Sequence, residues 1–201
     1  MRALVLSGGG AKGAYQVGAL KYLLGERAEP YDIFAGTSVG ALNAAYLAMF
    51  SAGNEIDSSR GLEDLWLGID SPSIWKKWYG GLLGQLPIVL PKWLGGKSSV
   101  YSTAPLRSLV GKRLKPGAVS MSGKKLRIGA VDLDSGERKV WDENDGDVLQ
   151  RAVCASSAFP IFFEPVEING RIYTDAGVRE VSPISDAIEA GATEIHLLTT
   201  G

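Results

Sequence analysis

The chain has 201 residues, the length of one ordinary domain. Hydrophobic residues make up 45% and charged residues 21%, with 21 Lys and Arg against 22 Asp and Glu, which argues against a disordered chain or a generally basic nucleic-acid binder. The single cysteine, Cys154, excludes an intramolecular disulfide framework and a cysteine-based zinc cage. The single histidine, His196, leaves one candidate for histidine-centred chemistry.

Two apolar segments resemble export or membrane signals. The run at residues 3–6 stops after four residues, whereas a secretory signal needs roughly 7–15. Residues 33–54 form an uncharged stretch of 22 residues, but its glycines and polar residues favour a buried strand followed by a buried helix. We therefore expect a cytoplasmic or peripheral membrane protein, without a signal peptide or a transmembrane segment.

Predicted strands and helices alternate along the chain. Short apolar runs that end in turn residues predict strands, and apolar residues at helical spacing predict helices. The strands are expected at 2–7, 32–37, 125–133, 137–141, 166–168, 171–174 and 194–200, and the helices at 11–24, 39–52, 61–69, 103–114, 147–157 and 183–190. Asn169-Gly170 between two of these strands is typical of a type I′ hairpin turn. The alternation favours one α/β layered domain over residues 1–201, and the end of the chain just after a strand leaves open whether a native C-terminal part is missing.

An irregular, basic insertion is expected at about residues 71–100, where three prolines and five glycines interrupt the pattern. Residues 71–131 hold 11 Lys and Arg and no acidic residue. The insertion also interleaves aromatic residues with lysines, a composition typical of a membrane-interface surface, although an ordinary solvated face or, less readily, a nucleic-acid surface has the same composition. The membrane or lid candidates are Trp75, Lys76, Lys77, Trp78 and Trp93.

The sharpest motif is a G-x-S-x-G sequence placed where a predicted strand becomes a helix. Its glycines allow a tight turn, and the serine hydroxyl is then exposed at the tip of the turn with a helix N-terminus behind it. The motif is common by itself, but the strand before it and the helix after it favour a nucleophile elbow over a plain turn. The elbow comprises Gly36, Thr37, Ser38, Val39 and Gly40, with Ser38 as the candidate nucleophile.

A glycine-rich loop lies between the first strand and the first helix. Its glycines fit G-x-G-x-x-G, but a dinucleotide site needs an acidic residue at the end of the next strand, and Asp32 stands at the beginning of that strand. The loop still presents free backbone N–H groups to an anion, and beside an elbow serine that anion is the oxyanion of an acyl-transfer intermediate. The candidate oxyanion hole is formed by Gly8, Gly9, Gly10, Ala11, Lys12 and Gly13.

Two candidates can accept the proton of Ser38. Ser38, Asp175 and His196 follow the chain order of an α/β-hydrolase triad, but the serine comes after only the second strand, and His196 lies inside a predicted strand. Asp175 ends a strand and is followed by the small residues Ala176 and Gly177. A carboxylate within hydrogen-bond reach can act on a serine directly, although an aspartate there can also simply cap a turn.

The glycine loop, the G-x-S-x-G elbow and Asp175-Ala176-Gly177 occur in the order that is seen in the patatin-like phospholipase family, which the chain resembles. The segments at 155–160 and 163–165 look like another block of that family. The resemblance covers the chain except for roughly residues 55–100. It implies a three-layer α/β/α fold with a mainly parallel sheet, and a bacterial-type lipid acyl hydrolase with a Ser38–Asp175 dyad. The loop amides would form the oxyanion hole, and no metal or cofactor would be needed.

The departures from the family pattern are mild. Lys12 stands where the family often has Arg, Ala176 replaces a commoner glycine, and Ser7 stands where plant members have Asp. These differences leave substrate preference open. Two alternatives also stay open: an acyltransferase or thioesterase that uses the same acyl-enzyme, and a membrane-binding module with weak activity. The expected partner is a lipid or ester substrate, with peripheral contact to an anionic membrane or micelle surface and no nucleic acid.

Overall fold

The structure is a computed structural model, and it describes residues 1–77 and 99–200. Its strands are β1 (Arg2–Leu6), β2 (Ile33–Gly36), β3 (Lys76–Lys77), β4 (Tyr101–Ser102), β5 (Lys125–Asp132), β6 (Arg138–Asp142), β7 (Val166–Ile168), β8 (Arg171–Asp175) and β9 (Glu194–Leu198). Its α-helices are α1 (Gly13–Leu20), α2 (Val39–Leu47), α3 (Glu55–Leu67), α4 (Ser71–Ile74), α5 (Ala104–Arg113), α6 (Pro116–Met121), α7 (Val148–Ser156) and α8 (Ile184–Glu189). Short 3₁₀ turns at Gly10–Lys12 and Ala176–Val178 flank the predicted site, and α1 continues as a π-helical segment, Lys21–Glu26.

Within the described residues, seven strands form one mixed sheet. Strands β9, β1, β2 and β5 are parallel to their neighbours in that order. Strands β6 and β8 pair antiparallel with β5, and β7 pairs antiparallel with β8. The expected parallel arrangement is therefore found in β9, β1, β2 and β5, whereas the pairings of β6, β7 and β8 are antiparallel, so the sheet is mixed.

The sheet is covered on both faces, which confirms the predicted three-layer α/β/α class. Because successive side chains of a strand point to opposite faces, β1 and β2 divide their residues between two cores. Leu4, Leu6 and Phe34 join the large core under α1, α2, α3, α5 and α7. The alternate residues Ala3, Val5, Ile33 and Ala35 pack with Ala187 and Ala190 of the α8 region. The second layer is thinner because its side chains are small.

The way in which β2, β6 and β8 pair with β5 brings the last residue of β8 close to the carboxyl end of β2. Strand β2 pairs with β5 through Ile128, and β6 pairs with residues 127–131, so β2 and β6 occupy opposite edges of β5. Strand β8 pairs with residues 130–132, which overlap the β6 register, so β8 lies on the same edge as β2. Because β8 runs antiparallel to β5, its last residue, Asp175, approaches the carboxyl end of β2.

Most predicted elements are confirmed, but two helices differ at one end and one short helix was not predicted. Helix α3 begins at Glu55 rather than residue 61, because its polar first turn carries no apolar periodicity but places Glu55 and Asp57 at the helix N-terminus. Helix α2 ends at Leu47, where the chain tightens into 3₁₀-type turns at Met49 and Phe50. Helix α6, which opens with Pro116, was not expected from periodicity.

The apolar segment 33–54 forms β2 and α2, as the sequence predicts. Among the helices that the structure describes, none combines the length and the apolar character needed to cross a membrane. The hairpin turn at Asn169 and Gly170 has φ values of 51° and 79°, the left-handed pair that a type I′ turn requires.

Candidate active site

Ser38 occupies a strained backbone position between β2 and α2. Its φ of 56° and ψ of −124° fall in a region that residues with a side chain rarely adopt. The glycines on either side make the turn possible: a Cβ atom at Gly36 would overlap the carbonyl of Gly40, and one at Gly40 would overlap the carbonyl of Leu6. The predicted strand–turn–helix context of the motif is therefore confirmed.

Asp175 meets Ser38 from the facing strand end. Its side chain is only 2% exposed, and Oδ1 accepts a hydrogen bond from the amide of Gly177 (2.7 Å). Burial raises the pKa of Asp175 to about 6, against the lowering effect of the Gly177 amide and of hydrogen bonding with the Ser38 side chain. A carboxylate with such a pKa is ionised at neutral pH, and it is more basic than an ordinary aspartate, so it accepts a proton more readily.

The two residues after Asp175 fit closely around it. Ala176 is fully buried and begins the 3₁₀ turn that aims the Gly177 amide back at the carboxylate. A Cβ atom at Gly177 would lie 3.0 Å from Asp175 Oδ1, so this position leaves little room for a side chain. A side chain at position 177 would therefore press on the Asp175 carboxylate itself.

The glycine loop separates into amides that are occupied and amides that are free. The Gly8 amide donates to the carbonyl of Val181 (2.9 Å), and the Lys12 amide donates to that of Gly9 (3.2 Å). The Gly13 amide bonds within the 3₁₀ turn. Across residues 1–77 and 99–200, the amides of Gly9, Gly10 and Ala11 find no acceptor. The six residues predicted for the oxyanion hole therefore offer three available donors in this structure.

At three positions of the loop, a side chain is disfavoured, each time for a different steric reason. Gly10 has a φ of +58°, and Gly9 approaches Thr200 so closely that a Cβ atom would overlap the threonine hydroxyl. A Cβ atom at Gly13 would overlap Val39 at the start of α2, so this glycine lets α1 pack close to α2.

A cavity of about 510 Å³ opens beside Ser38. The lining is mostly apolar and includes two residues of the glycine loop, so the serine, the free loop amides and an apolar volume share one space. The lining residues are Gly10, Ala11, Ala14, Ser38, Val39, Leu42, Trp66, Ile69, Asp70, Ser71, Ile74, Trp75, Leu106, Ser157 and Phe163. Such a space suits a hydrocarbon chain with a polar group at one end.

The beginning of the predicted insertion contributes to this cavity. Ser71, Ile74 and Trp75 line it, and the Trp75 ring lies 4.3 Å from the ring of Tyr101. Lys76 and Lys77 form β3, which pairs with β4, and Lys76 is exposed. Of the remaining candidates for membrane contact, Trp78 and Trp93 lie outside the described residues.

The structure also shows the surroundings of three residues named in the sequence analysis, His196, Cys154 and Thr37. His196 lies at the centre of β9, opposite Leu4, and its ring contacts Tyr31 (Oη to Nδ1, 2.7 Å) and Glu194 (3.2 Å). Burial raises the pKa of the Cys154 thiol to about 12, which leaves it protonated and unreactive. The side chain of Thr37 donates to the carbonyl of Glu180 (3.1 Å) and thereby ties the elbow to the loop after Asp175. Among the described residues, no cluster of His, Cys, Asp and Glu is placed to hold a metal ion.

Sequence reasoning missed two groups of residues at the site. Ser156 and Ser157, at the end of α7, both hydrogen-bond the backbone of Ser38. They lie in a segment that the family resemblance covers, but nothing in their spacing indicates this contact. Trp66 lines the cavity and is fixed by a hydrogen bond from Nε1 to Asn43 Oδ1 (2.8 Å). Helical spacing places Trp66 on α3 but does not reveal that this face meets the cavity.

Comparisons with known proteins find both a family and a similar fold. A sequence model described as patatin-like phospholipase matches residues 4–188. The lysophospholipase nte1 of Aspergillus terreus (strain NIH 2624 / FGSC A1156) is 56% identical over 45 residues, which are 22% of this chain and 3% of that protein. The crystal structure of VipD from Legionella pneumophila is similar, with a TM-score of 0.58 and 17% identity over 89% of this chain.

These relatives are longer proteins. The chain covers 46% of the VipD chain and a far smaller part of the lysophospholipase, and at 17% identity the likeness to VipD is one of fold. The family match, by contrast, extends over most of the chain and includes the glycine loop, the elbow and Asp175. The chain therefore belongs to the patatin-like phospholipase family.

Proposed function

We propose that this chain hydrolyses fatty-acyl esters of lipids through Ser38 as nucleophile and Asp175 as general base. The observation that supports this most is that the strained residue Ser38 lines an apolar cavity and hydrogen-bonds the buried carboxylate of Asp175. Strain of this kind is found where the surrounding structure holds a reactive group in place. Family membership and the resemblance to a lysophospholipase point to the same substrate class.

The reaction begins with attack by Ser38 on the ester carbonyl. Asp175 takes the hydroxyl proton as Ser38 Oγ bonds to the carbonyl carbon, and the carbonyl oxygen becomes an oxyanion. The free amides of Gly9, Gly10 and Ala11 are the candidate donors to that oxygen, with Gly10 and Ala11 lining the same cavity as Ser38. The intermediate collapses when the alcohol leaves with the proton from Asp175.

The second half releases the fatty acid. Asp175, ionised again, accepts a proton from water as the water oxygen attacks the acyl carbon. The tetrahedral intermediate forms over the same amides and collapses with return of the proton to Ser38 Oγ. The products are the carboxylic acid and free enzyme, and the sum of both halves is hydrolysis of one ester bond. No other acid or base is required, because one carboxylate serves both steps.

Contact with a lipid surface is the second part of the proposal. The loop after α7 exposes Phe159, Ile161 and Phe162 by 49%, 70% and 48%, and the adjoining Phe163 lines the cavity. The backbone of this loop bonds to Tyr101 of β4, and β4 pairs with the lysine strand β3. Apolar and aromatic side chains beside lysines suit the boundary between acyl chains and anionic headgroups.

The hydrolase assignment is tested with p-nitrophenyl esters from acetyl to palmitoyl. Ser38→Ala should abolish turnover, whereas Ser120→Ala should not, because the Ser120 hydroxyl only bonds the carbonyl of Gly117 on the surface of α6. Equal activity of wild type and Ser38→Ala would show that Ser38 is not the nucleophile. Loss in both serine variants would point to instability rather than chemistry.

Lipid contact is tested with vesicles of phosphatidylcholine and phosphatidylglycerol. Phe159→Ser with Phe162→Ser should reduce activity on vesicles at least about tenfold while sparing the acetyl ester, because the apolar area that enters the interface is removed. The control is Met121→Ser, an 81% exposed side chain on α6 beside the amino end of β5. Equal losses on vesicles and on the soluble ester would rule out this contact.

A further inference from the structure

Both backbone polar groups of Ser38 are bound by a pair of serines at the end of α7. The amide of Ser38 donates to Ser156 Oγ at 3.0 Å, and Ser157 Oγ donates to the carbonyl oxygen of Ser38 at 3.1 Å. Ser156 is fully buried, and Ser157 lines the cavity. The side chain of Ser156 thus binds the amide of the strained residue, and the side chain of Ser157 binds its carbonyl together with the Ala41 and Leu42 amides of α2.

The next residue of the same segment binds Asp175. The carbonyl of Ala158 accepts the Asp175 amide at 3.0 Å and the hydroxyl of the preceding Thr174 at 2.6 Å. Ala158 is 1% exposed. Three consecutive residues, 156–158, therefore contact both members of the proposed dyad through hydrogen bonds to their backbones.

This segment is itself held firmly. The amide of Ser157 bonds back to Val153 and Cys154 of α7, and that of Ala158 bonds to Ala155. Helix α7 packs on β5, the strand whose edge β2 and β8 share. The segment therefore bridges the gap between the two strand ends, where no backbone ladder joins Ser38 to Asp175.

The need for such a bridge follows from the position of Ser38. A residue with a side chain at a φ of 56° and ψ of −124° relaxes toward an ordinary conformation unless its neighbours prevent it. Rotation of the peptide groups next to Ser38 would swing Oγ away from Asp175. The hydroxyls of Ser156 and Ser157 oppose that rotation at the amide and at the carbonyl, respectively.

We propose that Ser156 and Ser157 are positioning residues that hold the nucleophile in its strained conformation and, together with the Ala158 carbonyl, set its distance from the base. The inference rests on the proposed function, because it assigns a role in the reaction of Ser38. A misplacement of about 1 Å in a reacting group can lower a rate by roughly 10²-fold, so loss of either hydroxyl should lower kcat. Substrate binding in the apolar cavity should change little.

The experiment compares four variants on a soluble short-chain p-nitrophenyl ester. Ser156→Ala and Ser157→Ala remove the two hydroxyls, and Ser157→Thr restores one, because Ser157 borders the open cavity and leaves room for a methyl group. The matched control is Ser122→Ala, another buried serine whose hydroxyl bonds two backbone groups, Val119 and Lys124, far from the site. Each variant is also treated with a fluorophosphonate, and labelling of Ser38 is followed by mass spectrometry.

We expect kcat to fall about 10- to 100-fold in both alanine variants, with KM within about twofold of wild type. The labelling rate of Ser38 should fall in parallel, Ser157→Thr should recover most of the kcat lost in Ser157→Ala, and Ser122→Ala should keep wild-type kcat. Wild-type kcat and labelling in both alanine variants would overturn the positioning role. So would losses that Ser122→Ala shares, which would indicate general destabilisation.

Failure of the proposed function gives a different result. Wild type that neither turns over ester nor is labelled at Ser38 would overturn the hydrolase assignment and this inference with it. If Ser156→Ala does not fold, the Ser157→Ala and Ser157→Thr pair decides the question. A kcat for Ser157→Ala equal to that of wild type then overturns the inference.

Discussion

A Cβ atom on Gly36 would overlap the carbonyl oxygen of Gly40, four residues later, so the backbone of Gly40 can come this close only because Gly36 has no side chain. Gly40 is constrained by the end of β1, because a Cβ atom at Gly40 would overlap the carbonyl of Leu6. The obstructing atoms are backbone atoms of β1 and of the elbow itself and cannot rotate away. The G-x-S-x-G spacing is thus a packing requirement of the strand-to-helix turn as well as a feature of its chemistry.

Gly40→Ala should destabilise the fold strongly. Forcing a methyl group against the backbone of β1 should cost roughly 3 kcal/mol or more, which lowers the Tm of a chain of this length by about 6–12 °C. The control is Gly18→Ala on α1, where a Cβ atom meets no atom within 4 Å and alanine should stabilise the helix by up to about 1 kcal/mol. Thermal denaturation followed by circular dichroism measures both changes. Equal Tm values for the two variants would contradict the close approach of the elbow to β1.

The pH dependence of turnover should reflect the raised pKa of Asp175. The carboxylate must be ionised to accept the Ser38 proton, so kcat/KM for a soluble ester should rise with pH, reach half of its maximum near pH 6 and level off about one pH unit higher. An aspartate with an ordinary pKa of about 4 would instead give a rate that is already level from about pH 5. The measurement is a pH–rate profile between pH 4.5 and pH 8, within about the limits at which the fold stays intact. A profile that is flat across this range would exclude Asp175 as a base with a raised pKa.

Asp175→Asn should be inactive yet more stable than wild type above pH 6. The pKa of Asp175 is raised in the folded state, so the folded protein binds more protons than the unfolded chain between about pH 4 and pH 6, and stability falls as pH rises through that window. The loss amounts to roughly 3 kcal/mol at higher pH. Asparagine stays neutral and retains an oxygen for the Gly177 amide, so it avoids this loss. Urea denaturation at pH 5 and pH 8 tests it: the stability difference between variant and wild type should be larger at pH 8.

Local sequence patterns foresaw the elements that carry the site, but not how distant elements combine there. The turns at residues 7–13 and 36–40 follow from glycine placement between apolar runs, and the hairpin at Asn169-Gly170 follows from turn chemistry. The meeting of Asp175 with Ser38 depends on both β2 and β8 sharing one edge of β5, which is a matter of register over more than 130 residues. No local sequence pattern encodes the positions of β2 and β8 on the same edge of β5. The expectation that Ser38 and Asp175 form a dyad came from the family resemblance instead.

Sequence reasoning also could not tell which amides of the glycine loop are free to act as oxyanion donors in the proposed reaction. Six loop residues were equivalent candidates by motif alone, and tertiary bonds distinguish them, since Gly8 reaches Val181 and Lys12 closes the 3₁₀ turn on Gly9. The contacts of Ser156 and Ser157 with Ser38 are of the same kind. Hydrogen bonds between residues far apart in the chain depend on the assembled layers, whereas caps and turns depend on neighbours.

The width of the cavity should set the longest acyl chain that is hydrolysed well. Ala14 of α1 lines the cavity on the same side as the glycine loop, and Ala14→Phe would fill part of its roughly 510 Å³. We expect kcat/KM for the palmitoyl ester to fall at least about tenfold, while kcat/KM for the acetyl ester stays within about threefold of wild type. Only the long acyl chain would extend into the part of the cavity that the phenylalanine ring occupies. Ala52→Phe, an exposed position after α2, is the control for the added aromatic ring. An equal loss on both esters in Ala14→Phe would mean that the acyl chain lies elsewhere, and no loss on either would exclude the cavity as its binding site.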